Sequence, residues 1–319
     1  MLGLLAAASG CGSSQSTLSP DSHASSTIAT LWWVMFVGSA VIFAGVVALL
    51  LVGVLRRRGE ETPSKRSPGQ RFVAVLGLIV PAGILVLLFI LSLSSIPATS
   101  PSSSSAGLTV DVVAHQFFWD VSYPGHGVRS ANEIHIPVGV PVNVEVTSGD
   151  VIHSLWVPAL NRKVDVIPGR TNVVTFNANR AGRFRGQCAE FCGPEHAEMA
   201  LYVIAQPRAE FDAWLASESH PNTLPTSVLL ERGQQIFLGS DCEYCHTIAG
   251  TNASGTIGPD LTHIGSRSTL AAGTIPNTPG SLAGWIVDPQ HIKPGNKMPG
   301  TSLDGRDLQA LVAYLESLR

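Results

Sequence analysis

The chain has 319 residues, enough for two domains or so that each bury a core. A net charge of −3 with only 13% charged residues excludes the basic field that nucleic-acid binding requires. The 45% hydrophobic content is ordinary for a soluble protein, but the apolar residues are unevenly placed along the chain.

The N-terminus, MLGLLAAASGC, has an apolar run and small residues ahead of Cys11, the pattern of a lipoprotein signal. No basic residue precedes the run, and Ala8 stands where such signals often carry leucine. Cleavage and lipid attachment at Cys11 are expected, within a leader and tail over residues 1–27. From Ile28 to Leu55 no residue is charged. At about 1.5 Å per helical residue this run exceeds a hydrocarbon core of about 30 Å. A second uncharged run, Phe72 to Leu91, contains Pro81, which is expected to kink a helix there. Two membrane-spanning helices within residues 28–96 follow. The loop between them carries Arg56, Arg57, Arg58, Lys65, Arg66 and Arg71, whereas residues 12–30 and 97–114 hold no Lys or Arg. The positive-inside rule therefore places the loop in the cytoplasm and everything after about residue 97 outside.

SIPATSPSSSSAG is a Ser/Pro tether, giving a linker at 97–108. Short Val-, Ile- and aromatic-rich runs then alternate with turn residues: LTVDVVAHQFFWDVSY, NEIHIPVGVPVNVEVTS, HSLWVP, TNVVTFNA and MALYVIAQ. They predict an all-β sandwich over 109–216, closed by a short helix in EFDAWLASESH. PNTLPTS lies in a second linker, 217–227. Beyond it SVLLERGQQIFL and LDGRDLQALVAYLESL read as amphipathic helices, the latter with Asp304 near its start. Residues 228–319 are thus expected to form a small, mostly helical domain that needs a staple.

CEYCH supplies one. Cys242 and Cys245 share a helix face and can bond the two vinyl groups of a haem, and His246 then presents its imidazole to the iron. A zinc half-site or a redox dithiol would also show this spacing. The helical segment, however, has no further cysteine for zinc and no βαβ setting for a thioredoxin-like motif. Of four methionines, Met298 is the one in this segment, and it is the expected sixth ligand. The combination of ERGQQIF, CEYCH, GPDL, Trp285-Ile286, KMP and a terminal helix resembles class I cytochromes c. His263 and His291 are read as surface or propionate-side residues.

GQCAEFCGPEHAEM gathers Cys188, Cys192, His196 and Met199. By spacing alone a disulfide, a zinc site or a copper site would satisfy it. Two thiolates, an imidazole and a thioether are a soft ligand set, suited to copper rather than to magnesium or calcium. A mononuclear blue-copper site needs only one cysteine but a second histidine, and DVIHSLWVP offers His153 upstream. The remaining histidines, His23, His115, His126, His135 and His220, read as surface or structural.

With the helical hairpin, HQFFWDVSY, DVIHSLWVP, KVDVIPGR and GQCAEFCGPEHAEM together, residues 28–216 resemble cytochrome c oxidase subunit II. The resemblance implies a dinuclear copper centre, CuA, with Cys188 and Cys192 bridging and His153 and His196 terminal. Met199 and the Glu190 carbonyl would be its axial ligands, and the Glu190 side chain would reach a magnesium at the interface with subunit I. The family's aromatic strand usually carries tryptophan where this chain has Phe117, the position through which electrons come in. The fused haem domain implies a path from an external cytochrome c or respiratory complex through haem c to CuA and on to subunit I. There oxygen is reduced and protons are moved, with subunit III as a further membrane partner. A bacterial plasma-membrane protein with both domains outside is expected. A membrane-anchored electron shuttle and a CuA-bearing nitric oxide reductase subunit are the alternatives.

Overall fold

The computed structural model describes residues 15–56, 69–101, 107–220 and 225–319. Cys11, the basic residues Arg57, Arg58, Lys65 and Arg66, and residues 221–224 of the second linker lie outside the described residues. The described chain divides into two units, Ser26–Ser100 and the remainder.

The first uncharged run forms a single helix, α1 (His23–Arg56), of 34 residues, about 51 Å long at 1.5 Å per residue. The second apolar helix is built in three pieces: α2 (Gly69–Ala74), a π-helical turn (Val75–Ile79) and α3 (Val80–Thr99). Val80 N–H reaches back to Val75 O beside Pro81, the local widening that lets a helix carry a proline. Helix α3 runs past the predicted limit at residue 96 to Thr99 and takes in the start of the tether, with Pro97 inside it. Its serines do not disrupt it, because the Ser94 and Ser95 hydroxyls donate back to Leu91 O and Ser92 O at 2.8 and 2.7 Å. Both helices are long and apolar enough to cross a membrane, and large side chains such as Phe43 and Leu78 stand exposed on them. Surface of that kind is costly in water and neutral in hydrocarbon.

The second unit opens with strands β1 (Leu108–His115), β2 (Phe118–Tyr123), β3 (Val128–Ala131), β4 (Glu133–Pro137) and β5 (Val142–Ser148). Strands β6 (His153–Trp156), β7 (Val164–Val166), β8 (Asn172–Phe176), β9 (Gly182–Cys188) and β10 (Ala200–Gln206) follow. They form two five-stranded sheets, ordered β3-β2-β1-β5-β8 and β4-β10-β9-β6-β7. The pairs β1–β5 and β4–β10 are parallel, and the other neighbours antiparallel. Side chains alternate as a sandwich requires: Val110, Val112 and Ala114 of β1 point inward and are fully buried. Each such valine contributes about 1.5–3 kcal/mol by leaving water.

LTVDVVAHQFFWDVSY is two strands rather than one. The chain reverses at Gln116-Phe117, pairing His115 with Phe118, and the buried positions switch phase from Ala114 to Trp119. This reversal puts Gln116 and Phe117 at the tip of a hairpin.

Helix α4 (Arg208–Glu218) closes the sandwich, its Trp214 stacked on His135 at 3.9 Å. The helical segment comprises α5 (Val228–Leu238), α6 (Cys242–Cys245), the strand pair β11 (Thr269–Leu270) and β12 (Ile275–Pro276), α7 (Pro279–Val287), α8 (Pro289–Ile292) and α9 (Gly305–Ser317). Asp304 caps α9, accepting from Arg306 N and Asp307 N at 2.9 Å each. Helices α5 and α9 cross where Gly233 has no side chain: a Cβ there would lie 2.1 Å from Ala310 O. His291 is exposed, as read, but His263 is not a surface residue. It is buried 3.8 Å from the Glu218 carboxylate, because its turn packs against α4.

Candidate functional site

Sheet register gathers the soft donors. Strand β6 runs antiparallel to β9 with Leu155 opposite Cys188, and β10 runs antiparallel to β9 with Ala200 opposite Gln187. His153 at the start of β6, Cys188 at the end of β9 and Met199 just ahead of β10 therefore meet at one end of the sheet. Cys188 N–H donates to Met199 O at 2.9 Å, which fixes the two ends of the intervening loop. The loop returns Cys192 to 3.8 Å from Cys188, sulfur to sulfur. This is far beyond the roughly 2.05 Å of a disulfide, and both thiols are free.

His153 Nδ1 lies 3.8 Å from Cys188 Sγ, and His196 Nδ1 lies 3.7 Å from Cys192 Sγ. Met199 Sδ is 3.9 Å from Cys192 Sγ, and Glu190 O is 3.2 Å from Cys188 Sγ. Among the described residues, His153, Cys188 and Cys192 are close enough together to share a metal ion. The Cys192 thiol and the His153 ring hold Cys188 well below the usual thiol range against the burial that opposes it. The site thus already favours one thiolate, the form a soft metal binds. His153, Cys188, Cys192 and Met199 are buried and His196 half-buried, while the Glu190 side chain is exposed, so Glu190 offers the site its carbonyl.

Asp150, which sequence reasoning passed over, accepts from or shares a proton with His153 Nε2 at 2.8 Å. That leaves Nδ1 facing the sulfurs and fixes the ring, the usual service of a carboxylate behind a ligating histidine. Its position three residues before His153 was the available signal.

The second site is a cavity of about 540 Å³. Cys242, Cys245, His246 and Met298 all line it, with Trp285 among the apolar walls. Short helix α6 puts both thiols on one face, and His246 follows as its cap. His246 Nδ1 donates to Pro259 O at 2.7 Å, since a carbonyl only accepts, so Nε2 keeps its lone pair. Burial pushes His246 below the ordinary imidazole range, which also favours the neutral ligating form. Gly258 packs so closely on this ring that a Cβ would sit 2.5 Å from Cε1. Buried Arg267 also lines the cavity, and its Nε has no partner. A flat, dianionic macrocycle with carboxylate arms fits these walls: two thiols, an axial nitrogen, a thioether and an unpaired guanidinium N–H are in place.

The two sites share a wall. Gln116 and Phe117 of the sandwich line the haem-type cavity. The same Gln116 donates through Nε2 to Cys192 O at 2.6 Å and through its backbone N–H to Asp150 at 2.7 Å. Lys297, next to Met298, pairs with Asp150 at 3.9 Å. Ala200 N–H donates to Ala272 O at 3.0 Å, and Ser268 N–H to Glu133 Oε1 at 3.0 Å.

Comparison with known proteins agrees with this division. A sequence profile described as the periplasmic domain of cytochrome c oxidase subunit II matches residues 127–206, and one described as cytochrome c matches residues 230–319. Cytochrome c oxidase subunit 2 of Alkalihalophilus pseudofirmus is 36% identical over 295 residues, covering 90% of this chain and 84% of that protein. Its counterpart in Bacillus subtilis is 30% identical over 282 residues, covering 82% and 79%. Among solved structures, the periplasmic domain of subunit II of cytochrome oxidase of Bradyrhizobium japonicum is 33% identical, covering 37% of this chain and 96% of that one, with a TM-score of 0.36. Copper and haem are the cofactors such a pairing of domains implies, and an electron-transfer role within a membrane-anchored haem-copper oxidase follows. The chain belongs to the cytochrome c oxidase subunit II family, with a cytochrome c domain fused at its C-terminal side.

Proposed function

We propose that this chain is the electron-receiving subunit of its oxidase, with its own haem c upstream of a dinuclear copper centre. In this reading Cys188 and Cys192 would hold both coppers through their thiolates, and His153, His196, Met199 and the Glu190 carbonyl would complete the ligand set. Cys242 and Cys245 would anchor haem c, and His246 and Met298 would ligate its iron. When bound, these groups supply the one-electron chemistry, from an external cytochrome c or respiratory complex through this chain to subunit I, where oxygen reduction is coupled to proton movement. Subunit III is a further membrane partner, and a magnesium between Glu190 and subunit I would complete the interface. Arg56 and Arg71, at the facing ends of the two apolar helices, support a reading in which the loop between them is cytoplasmic and both domains lie on the outer side of the plasma membrane.

The observation that carries the reading is the shared wall. Gln116 touches the copper loop at Cys192 O and lines the haem cavity, so one residue stands between the two ligand sets. Phe117 is 8% exposed and lines the haem cavity, so in this reading electrons reach the copper loop from the haem domain rather than from a donor docked on this position. The residues' own part is to hold both ligand sets rigid and exclude water, which lowers reorganisation on electron transfer.

The test is the absorption spectrum of the copper- and haem-loaded protein. A reduced c-type α-band together with a near-infrared copper band is expected. Cys192→Ser should remove the near-infrared band and leave the α-band. A copper-loaded parent without the near-infrared band would refute the dinuclear assignment.

A further inference from the structure

Lys293 is only 2% exposed, in a loop of a small domain whose other lysine, Lys297, reaches solvent. A buried ammonium is expensive unless every donor is used. Here all three are. Nζ donates to Ala271 O at 3.2 Å within the haem domain, and to Phe117 O at 3.2 Å and Glu198 O at 2.9 Å in the copper domain. An ammonium has three donors and no acceptor, so three converging carbonyls satisfy it fully. Glu195 and Glu198 stand near enough to support the positive charge, although burial brings Lys293 down to about 8. Three converging carbonyls are a site for an ammonium rather than for a neutral amine, which has only two N–H donors.

Where the bonds land matters more than their number. Phe117 follows Gln116, which holds the carbonyl of Cys192. Glu198 precedes Met199. Lys293 itself lies at the end of α8, five residues ahead of Met298. One side chain thus ties the Met298 loop to both segments that frame the copper ligands.

We propose that Lys293 is the positioning residue that clamps the haem domain onto the copper domain, so that electrons cross a fixed seam rather than wait for a tethered domain to find its partner. This rests on the haem-to-copper direction of transfer argued above. Without Lys293 the Phe117 and Glu198 carbonyls lose their donor, whereas Ala271 O keeps the Thr274 hydroxyl at 2.7 Å, so the cost falls on the copper-domain side of the docked arrangement. The tether at the second linker then sets the encounter instead.

The experiment uses the full chain in detergent, loaded with haem and copper, as parent and as Lys293→Met. Haem is photoreduced and electron arrival is followed at the near-infrared band. The parent is expected to transfer at a rate that does not change with added sucrose. Lys293→Met is expected to keep both bands in place, to transfer at least tenfold more slowly and to slow further as viscosity rises. The Ala200 amide, bonded across the seam to Ala272 O, should exchange with deuterium at least tenfold faster in the variant. If Lys293→Met loses a band, Lys293→Gln, which keeps a shorter amide donor, takes its place with intermediate values expected. Unchanged Ala200 exchange in a variant with both bands intact overturns the clamp. Faster exchange with no haem-to-copper transfer even in the parent supports the clamp and overturns the direction of transfer instead.

Discussion

Adding one methyl group at Gly258 should displace His246, the proposed haem ligand. In Gly258→Ala the new Cβ would lie 2.5 Å from His246 Cε1 and 2.8 Å from Nδ1, where an ordinary contact begins at 3.4 Å. The ring would have to retreat by nearly an ångström. A histidine ring is the far end of a side chain and could in principle swing away, but Nδ1 is pinned to Pro259 O at 2.7 Å. A partial retreat therefore loses that bond and still leaves the contact compressed. Overpacking costs about 1–3 kcal/mol and a lost hydrogen bond about 1 kcal/mol more, so roughly 2–4 kcal/mol is expected. For a domain of this size each kcal/mol lowers the melting temperature by roughly 4–8 °C. The assay is thermal unfolding of the full chain followed at the haem Soret band, with the same spectrum reporting iron ligation at low temperature. A fall of at least about 8 °C and a shift away from the low-spin spectrum are expected. A variant that melts within about 2 °C of the parent, with an unaltered Soret band, would refute the close packing of Gly258 on His246.

Gly233→Ala should also destabilise the haem domain, because its Cβ would meet backbone, Ala310 O at 2.1 Å, which cannot turn aside. Separation of α5 from α9 would open the cavity floor, measured as loss of haem retention during a thermal ramp. The seam should also weaken in acid. Burial alone would raise Glu133, but His135 and the Ser268 N–H and hydroxyl outweigh it and hold the carboxyl below its ordinary 4.5. A depressed carboxyl stabilises above its unfolded value and loses that contribution as pH falls through the folded one. The protection factor of the Ala200 amide, its exchange corrected for the intrinsic rate at each pH, should therefore fall below about pH 4.5 in the parent, and Glu133→Gln should flatten that dependence. A dependence equally steep in both proteins would count against the Glu133–Ser268 contact.

Much of the site was legible because its chemistry is carried by residue type at short range. Cys242, Cys245 and His246 lie within one turn of chain, and no other segment can supply that spacing. The same holds for Cys188, Cys192, His196 and Met199, whose loop closes on itself through Cys188 N–H and Met199 O. The unbroken apolar runs of α1 and α3 likewise need no partner to be read, since hydrophobic length alone matches a bilayer. Less visible was the hairpin at Gln116-Phe117. Its trace was the switch of buried positions from even to odd numbering between Ala114 and Trp119, easily missed in a continuous apolar run.

The sequence by itself determined the membrane hairpin, the soft donor set, the haem-attachment motif and the family, because each depends on composition or spacing within a local stretch. Only the tertiary structure decided what the two redox sites have to do with each other. That Gln116 serves both sites, that Asp150 steadies His153 and meets Lys297, and that buried Lys293 spans the seam are matters of contacts between residues far apart in the chain. Lysine and glutamine are ordinary surface residues in any linear reading. Their meaning here comes from burial, which makes every unused donor costly and so forces each one onto a specific carbonyl.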